Sequence, residues 1–163
     1  MTEDLTIRLA TQEDSEEVLK ASVRACEDNG FLDFNPLLLF NEVWPALHQD
    51  HGLFATIGPA NGEIQGFVFL KIGTLFYSET KCLEEKCLWV APEYRTAKGG
   101  RAKRLLEFTK KTADTLQLPL VIGIFSTIRA EGKIKLYERM FGKPAGAFFL
   151  YGAQCGGHKA VDS

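Results

Sequence analysis

The chain has 163 residues, a formal net charge of −2, and 45% hydrophobic against 25% charged residues. This length fits one domain with one core, and the composition is too apolar for a disordered chain. The balance of 19 basic and 21 acidic residues produces no overall positive field. We therefore expect no nucleic-acid partner.

Alternating and helical periods of hydrophobicity follow one another along the chain. Period-two alternation predicts strands, and apolar residues three and four apart predict helices. Asn61-Gly62 lies between two strand-like runs and predicts a hairpin. The predicted strands cover 6–10, 53–57, 64–72, 82–91, 118–125 and 147–151, and the predicted helices run from a cap at Thr11 or Asp14 to Asn29, from 36 to about 48, from 102 to 116 and from about 130 to 140.

This order of elements, β-α-α-β-β-β-α-β-α-β, predicts an α/β or α+β domain with a mixed sheet. No linker-like shift in composition, internal repeat or low-complexity segment divides the chain.

Several function and location classes lack their sequence signals. The chain contains no uninterrupted apolar run of the ~18 residues that a membrane-spanning helix needs, and its acidic N-terminus is unlike a signal peptide. The four cysteines form no Cys-x-x-Cys pair and no repeated ligand spacing, which disfavours a disulfide framework or a zinc site. We expect a reduced, metal-free, cytoplasmic protein that does not bind membranes.

The loop after the fourth predicted strand and the helix start that follows it concentrate glycines and basic residues. Glycines let the backbone approach a ligand closely, and a helix start offers unpaired N–H groups. Basic side chains oppose the helix dipole at this end, so their presence indicates an anion site that suits phosphate. A glycine turn leading to a solvated basic helix face is the alternative. The residues concerned are Lys98, Gly99, Gly100, Arg101, Lys103 and Arg104.

The same segment carries a family resemblance. It contains Val90-Ala91-Pro92-Glu93-Tyr94-Arg95, then Gly100-Arg101-Ala102 and Leu105-Leu106. A strand ending in Val-x-Pro, an Arg- and Gly-rich loop and a helix with paired leucines resemble the signature of the GNAT superfamily of acyl-CoA-dependent N-acyltransferases. Ala97 replaces the Arg or Gln of the strict pattern, and Arg95 lies two residues earlier; this longer spacing resembles phage- and bacterial-type members.

Two downstream segments extend the resemblance to almost the whole chain. Leu136-Tyr137-Glu138-Arg139 resembles the family's late helix, although Phe141-Gly142 inverts the usual Gly-Phe order. Ser126-Thr127 resembles a loop of phage-type members. We assign residues 1–152 to a single GNAT-like acyltransferase domain and expect residues 153–163 to form a flexible C-terminal tail.

The resemblance implies a mixed, mostly antiparallel sheet with flanking helices, in which two central parallel strands splay apart. The pantetheine of acyl-CoA would lie in the wedge between the strand ending at Val90 and the strand over 120–125. Backbone groups of Trp89 and Val90 would bond the pantetheine, and N–H groups over 98–103 would bind the diphosphate. The implied cofactor-binding residues are Trp89, Val90, Arg95, Lys98, Gly99, Gly100, Arg101, Ala102, Lys103 and Ser126.

The resemblance also implies a general acid and a general base. Tyr137 resembles the family tyrosine whose hydroxyl protonates the departing CoA sulfur. The base would be a carboxylate on the strand before the loop, with Glu85 first and Glu84 second, because alternation places them on opposite faces. A half-buried helix tyrosine and a solvated pair of strand glutamates are the structural alternatives.

Three functions remain open at this point. The resemblance implies transfer of an acetyl group from acetyl-CoA to a primary amine of a small molecule or a protein, without a metal, and it leaves a homodimer open. A catalytically weak acyl-CoA-binding sensor or assembly protein is the alternative, which Ala97 and Phe141-Gly142 favour. A nucleic-acid binder using the basic helix is the third hypothesis, and the acidic overall balance counts against it.

Overall fold

The computed structural model describes residues 4–126 and 129–152. In chain order its elements are β1 (Leu5–Leu9), α1 (Ser15–Asn29), α2 (Pro36–Leu47), β2 (Gly52–Pro59), β3 (Gly66–Thr74), β4 (Lys81–Val90), α3 (Arg101–Leu116), β5 (Leu120–Val121) and α4 (Ala130–Phe141), with single turns of 3-10 helix at Gln12–Asp14 and Pro92–Tyr94. The five strands lie side by side in sequence order. Strands β1 to β4 pair antiparallel, and β5 pairs parallel with β4. The predicted mixed, mostly antiparallel sheet with flanking helices is confirmed.

Apolar side chains are buried on both faces of this sheet. On one face, Val18 of α1 and Val43 of α2 pack with Phe54 and Phe67. On the other face, Leu105 of α3 packs with the apolar side chains of β2, β3 and β4. Because helices cover both faces, the central strands are apolar over most of their length rather than alternating.

Local sequence signals set several element ends. Gly30 ends α1 in the left-handed conformation, with φ of 66°. Asn35 caps α2 by accepting hydrogen bonds from the N–H groups of Leu37 at 2.9 Å and Leu38 at 3.2 Å. Asn61-Gly62 lies in the connection between the antiparallel strands β2 and β3. None of the helices over 4–126 and 129–152 is long and apolar enough to cross a membrane.

Two of the predicted strands differ from the structure. The strand predicted over 118–125 is limited to the two residues of β5, after which the chain leaves β4. Phe125 stacks instead on Phe31, with ring centroids 4.3 Å apart. The strand predicted over 147–151 is wrong, because that segment forms no strand. A closing strand needs a neighbouring backbone to pair with along its length, and β5 offers only two residues. Thr127 and the predicted tail over 153–163 lie outside the described residues.

A β-bulge in β4 changes which of its residues share a face. Strands β3 and β4 pair Phe69 with Cys87 and Leu70 with Glu85, which leaves Lys86 as the extra residue. Glu85 therefore lies on the α3 side of the sheet with Leu70, whereas Cys87 lies on the α1 side with Phe69. Strict alternation would place Glu85 and Cys87 on one face.

Candidate active site

A cavity opens where β4 and the chain over 122–126 separate. The last paired residues are Glu84 and Val121. Beyond them lies a space of about 240 Å³, which we call the wedge cavity. Side chains from α1, β4, the 122–126 segment and α4 line it: Asp28, Asn29, Glu85, Cys87, Trp89, Ser126, Lys133 and Tyr137 among others. The parallel strands β4 and β5 therefore separate here as the resemblance implied, but β5 is the edge strand of the described sheet rather than a central one.

A second cavity, of about 330 Å³, continues from the wedge cavity to the start of α3. We call it the loop cavity, and it shares Trp89, Arg95, Lys133 and Tyr137 with the wedge cavity. Among the described residues, five basic and no acidic side chains line it. The basic ones are Arg95, Arg101, Lys103, Arg129 and Lys133. This wall is suited to a ligand with several negative charges.

The start of α3 contributes backbone donors to the loop cavity. No side chain caps this helix at Gly100 in the described structure. The first helical hydrogen bond runs from the Arg104 N–H to the Gly100 carbonyl at 2.9 Å, so the N–H groups of Ala102 and Lys103 lie outside the helical ladder. These groups and the positive end of the helix dipole favour an anion at this point.

The two glycines before α3 have different surroundings. Gly100 has a φ of +56°, and a Cβ added there would meet the Cβ of Lys103 at 4.0 Å and nothing nearer. Gly99 has a φ of +122°, and an added Cβ would lie 2.7 Å from Cδ1 of Leu5. Gly100 therefore leaves room for a ligand, whereas a side chain at Gly99 would displace Leu5 and is disfavoured by the positive φ.

Arg101 is built into the protein rather than projecting from it. Its side chain is 4% exposed, and its Nε donates to Oε1 of Gln65 at 2.7 Å. Its Nη1 donates to the Lys98 carbonyl at 3.1 Å, and its guanidinium lies 4.8 Å from the centroid of the Tyr94 ring. Arg101 thus holds the loop against the sheet, while its charge still lines the loop cavity.

We expect Arg101→Met to lower the free energy of unfolding by about 2 kcal/mol, because it removes a buried charge-assisted hydrogen-bond network. Urea unfolding measures this change. Lys103→Met is the matched control, since Lys103 lies two residues later with a side chain that is 65% exposed; we expect a change within ~0.5 kcal/mol. Equal losses for the two variants would contradict a structural role for Arg101.

Arg95 occupies the end of the wedge cavity. Its Nε donates to the Val90 carbonyl at 2.9 Å, and its Nη2 donates to Oδ2 of Asp28 at 2.8 Å. The same Asp28 oxygen accepts the indole N–H of Trp89 at 2.8 Å. Asp28 thereby ties the end of α1 to β4 and to the loop. The other predicted loop cation, Lys98, is exposed.

The sheet register determines which backbone groups of β4 face the wedge cavity. The Ala91 N–H donates to the Gln65 carbonyl at 2.9 Å, and Trp89 pairs with Phe67. By alternation, the N–H and C=O groups of Leu88 and Val90 point away from β3 toward the separated segment. The register favours Leu88 and Val90 over the Trp89 backbone as contacts for an extended ligand.

Glu85 and Tyr137 meet in the wall of the wedge cavity. Tyr137 donates its hydroxyl hydrogen to Oε1 of Glu85 at 2.8 Å, and Oε2 of Glu85 is buried without a hydrogen-bond partner among the described residues. Burial raises the pKa of Glu85 to about 7, against the lowering effects of the Tyr137 hydrogen bond and the Lys133 charge. Burial and the neighbouring Glu85 raise the pKa of Tyr137. The pair combines a carboxyl that titrates near neutrality with a phenol that keeps its proton.

Glu84 lies on the opposite face of β4, as alternation predicts. Its carboxylate contacts Nζ of Lys86 at 2.8 Å, and it lines neither cavity. The geometry therefore favours Glu85 over Glu84 as a base.

Lys133 also lies in the candidate site, although it was not among the residues predicted from the sequence. Its Nζ donates to Oγ of Ser126 at 2.9 Å, it lines both cavities, and burial lowers its pKa. It precedes Tyr137 by four residues on α4, and residues at this spacing share a helix face. That spacing is the signal that could have identified it. Asp28 and Leu88 carried no comparable signal.

Cys87 is poorly suited to act as a nucleophile. Burial and the nearby Glu85 raise the pKa of its thiol to about 12, which disfavours the reactive thiolate. Within residues 4–126 and 129–152, no group of three or more His, Cys, Asp and Glu side chains is placed to hold a metal ion.

The fold occurs in solved structures of acetyltransferases, although no protein-family model matches the chain and no curated protein is similar in sequence. The GCN5-related N-acetyltransferase from Ralstonia eutropha JMP134 is 16% identical over 90% of this chain and 97% of that chain, with a TM-score of 0.67. AAC(6')-Iy in complex with the bisubstrate analogue CoA-S-monomethyl-acetylneamine is 17% identical over 93% of this chain and 99% of that chain, with a TM-score of 0.65. The aminoglycoside acetyltransferase meta-AAC0020 from an uncultured soil metagenomic sample, in complex with sisomicin, is 16% identical over 90% of this chain and 91% of that chain, with a TM-score of 0.59. The chain therefore has the GNAT fold, and the resemblance found in its sequence is confirmed at the level of the fold.

Proposed function

We propose that the protein transfers an acetyl group from acetyl-CoA to a primary amine of a small molecule or a protein. The observation that carries this proposal is the loop cavity, with five basic side chains, no acidic one among the described residues, and an uncapped helix start beside the open Gly100. The diphosphate of CoA has the charge that such a wall favours. The CoA bisubstrate analogue in complex with AAC(6')-Iy supports the proposal through the shared fold.

The residues present fit acetyl-CoA along the two cavities. The N–H groups of Ala102 and Lys103 and the side chain of Lys103 would hold the phosphates. Backbone groups of Leu88 and Val90 would bond the pantetheine arm, which brings the sulfur toward the wedge cavity. Acetyl-CoA, when bound, supplies the activated acetyl thioester.

Glu85 and Tyr137 can supply both proton transfers that the reaction needs. The unpartnered Oε2 of Glu85 accepts a proton from the attacking amine, and the Tyr137 hydroxyl gives a proton to the leaving sulfur. Because the two side chains share a hydrogen bond of 2.8 Å, the proton gained by Glu85 can replace the one lost by Tyr137. The pair then returns to its starting state.

The test of this function separates binding from turnover. Titration calorimetry with acetyl-CoA measures binding, and amine-dependent release of the CoA thiol measures transfer. We expect both. An absence of binding at millimolar acetyl-CoA would overturn the proposal, and binding without thiol release over a broad amine panel would favour the acyl-CoA-binding sensor.

We expect Tyr137→Phe to lower kcat by about 100-fold with little change in the Kd for acetyl-CoA, because it removes the proton donor and keeps the ring. The substitution also removes a hydrogen bond that lowers the pKa of Glu85. The acidic limb of the pH–kcat profile should therefore move to higher pH. Tyr77→Phe, at an exposed tyrosine outside both cavities, is the control. An unchanged kcat in Tyr137→Phe would remove the proposed acid.

A further inference from the structure

A third cavity, of about 430 Å³, lies on the α1 and α2 face of the sheet. We call it the helix-face cavity. It shares Ala25, Asn29, Lys86 and Cys87 with the wedge cavity, so the two cavities adjoin at α1 and β4. Its apolar wall is formed mainly by Phe34, Leu38, Leu39, Phe54, Phe67 and Phe69.

The charges in this wall are balanced. Glu42 and Lys86 are the charged side chains that line it among the described residues. Glu42 contacts Nζ of Lys71 at 2.6 Å, and Lys86 contacts Glu84 at 2.8 Å. Burying several ammonium groups costs free energy unless negative side chains pair with them, and this wall has no surplus negative charge to do so. It is therefore unfavourable for a polyamine or an aminoglycoside, the class that one structural neighbour binds.

The rim of the helix-face cavity is apolar as well. Leu38 lines it while 63% of its surface is exposed. A ligand that covers this apolar surface and removes it from water binds with a more favourable free energy. The floor is rigid, since Phe54 and Phe67 are each 1% exposed and stack with ring centroids 4.6 Å apart.

We propose that the acceptor is a small monoamine whose nitrogen is attached to an aromatic or branched aliphatic body. The body occupies the helix-face cavity against Phe54 and Phe67, and the amine extends past the shared residues Asn29 and Cys87 into the wedge cavity, which Glu85 lines. This inference rests on the proposed acetyl transfer. The thioester C–S bond breaks and an N–C amide bond forms, the amine proton goes to Glu85, and the Tyr137 proton goes to the sulfur.

A matched amine panel tests this class of acceptor. We expect kcat/KM for phenylethylamine and 3-methylbutylamine to exceed that for ethanolamine and spermidine by at least about 100-fold, because only the first two bury an apolar body. A higher kcat/KM for ethanolamine, spermidine or an aminoglycoside would overturn the inference and leave acetyl transfer intact. A lack of turnover with every amine, despite acetyl-CoA binding, would count against the proposed function itself.

Two neighbouring leucines provide the variant test of the same cavity. Leu37 and Leu38 are almost equally exposed, but only Leu38 is among the residues that line the helix-face cavity. We expect Leu38→Gln to raise the KM for phenylethylamine about 10-fold and to leave the KM for acetyl-CoA unchanged. Leu37→Gln should leave both unchanged. Equal effects of the two substitutions, or no effect of either, would contradict the proposal.

Discussion

Glu85→Gln is expected to lower kcat by about 100-fold or more and to remove the rise of kcat with pH near 7. The amide keeps the size of the side chain and its hydrogen bond from Tyr137, but it cannot accept the proton of the amine. Because the pKa of Glu85 is about 7, the wild-type rate should rise with pH as this carboxyl ionises. Steady-state kinetics between pH 5 and pH 9 measure both effects.

Glu84→Gln is the matched control for this experiment. It makes the same substitution one residue earlier, on the opposite face of β4 and outside both the wedge cavity and the loop cavity. We expect its kcat to stay within about threefold of wild type. A large loss in Glu84→Gln with a normal Glu85→Gln would reverse the assignment of the base.

The same substitution should change stability in a pH-dependent way. The native pKa of Glu85 lies above its ordinary value of 4.5, at about 7, so the native state binds this proton more tightly than the unfolded chain. The contribution of the protonated Glu85 to the free energy of unfolding is fully present below about pH 4.5. As the pH rises through 7, about 3 kcal/mol of this free energy of unfolding is lost. Glu85→Gln stays neutral and escapes this loss, so its Tm should match wild type at pH 5 and exceed it at pH 8.5. If Glu85→Gln and wild type had equal Tm values at pH 5 and also at pH 8.5, the burial of this charge would be contradicted.

Gly100→Asp is expected to weaken acetyl-CoA binding by at least about 100-fold, and Gly100→Asn by much less. Asp and Asn have similar size and tolerate the left-handed φ of +56° at this position. They differ in charge, and two like charges ~4 Å apart repel by about 4 kcal/mol at an effective dielectric constant of 20. The pair therefore isolates the electrostatic contribution of the loop cavity.

Titration calorimetry at two salt concentrations measures this difference, which should shrink as salt screens the charges. Gly142→Asp controls for an added negative charge away from the loop cavity, since Gly142 has no heavy atom within 4 Å of an added Cβ and lines neither the wedge cavity nor the loop cavity. Its affinity for acetyl-CoA should equal that of wild type. Equal weakening by Asp and Asn at Gly100 would show that space, rather than phosphate charge, limits binding there.

The loop after β4 shows which features of the site the sequence patterns predicted and which they did not. Pro92, the two glycines and the basic helix start predicted an anion site, and the structure has an uncapped helix start and an open cavity at that place. The patterns did not separate the roles of the basic residues. Arg101 is buried against Gln65, 36 residues earlier in the chain, and no local pattern reports such a contact.

The sequence by itself determined the order of helices and strands up to α4, the hairpin at Asn61-Gly62 and the glycine-containing loop, because hydrophobic period and turn chemistry act over a few neighbouring residues. It also indicated Tyr137 and Glu85 through a family resemblance. Only the tertiary structure decided that the bulge at Lys86 puts Glu85 on the α3 side, that β5 stops after two residues, and that Glu85 meets Tyr137, 52 positions away. These features depend on strand register and on packing between distant segments, and neither is encoded in a local stretch of residues.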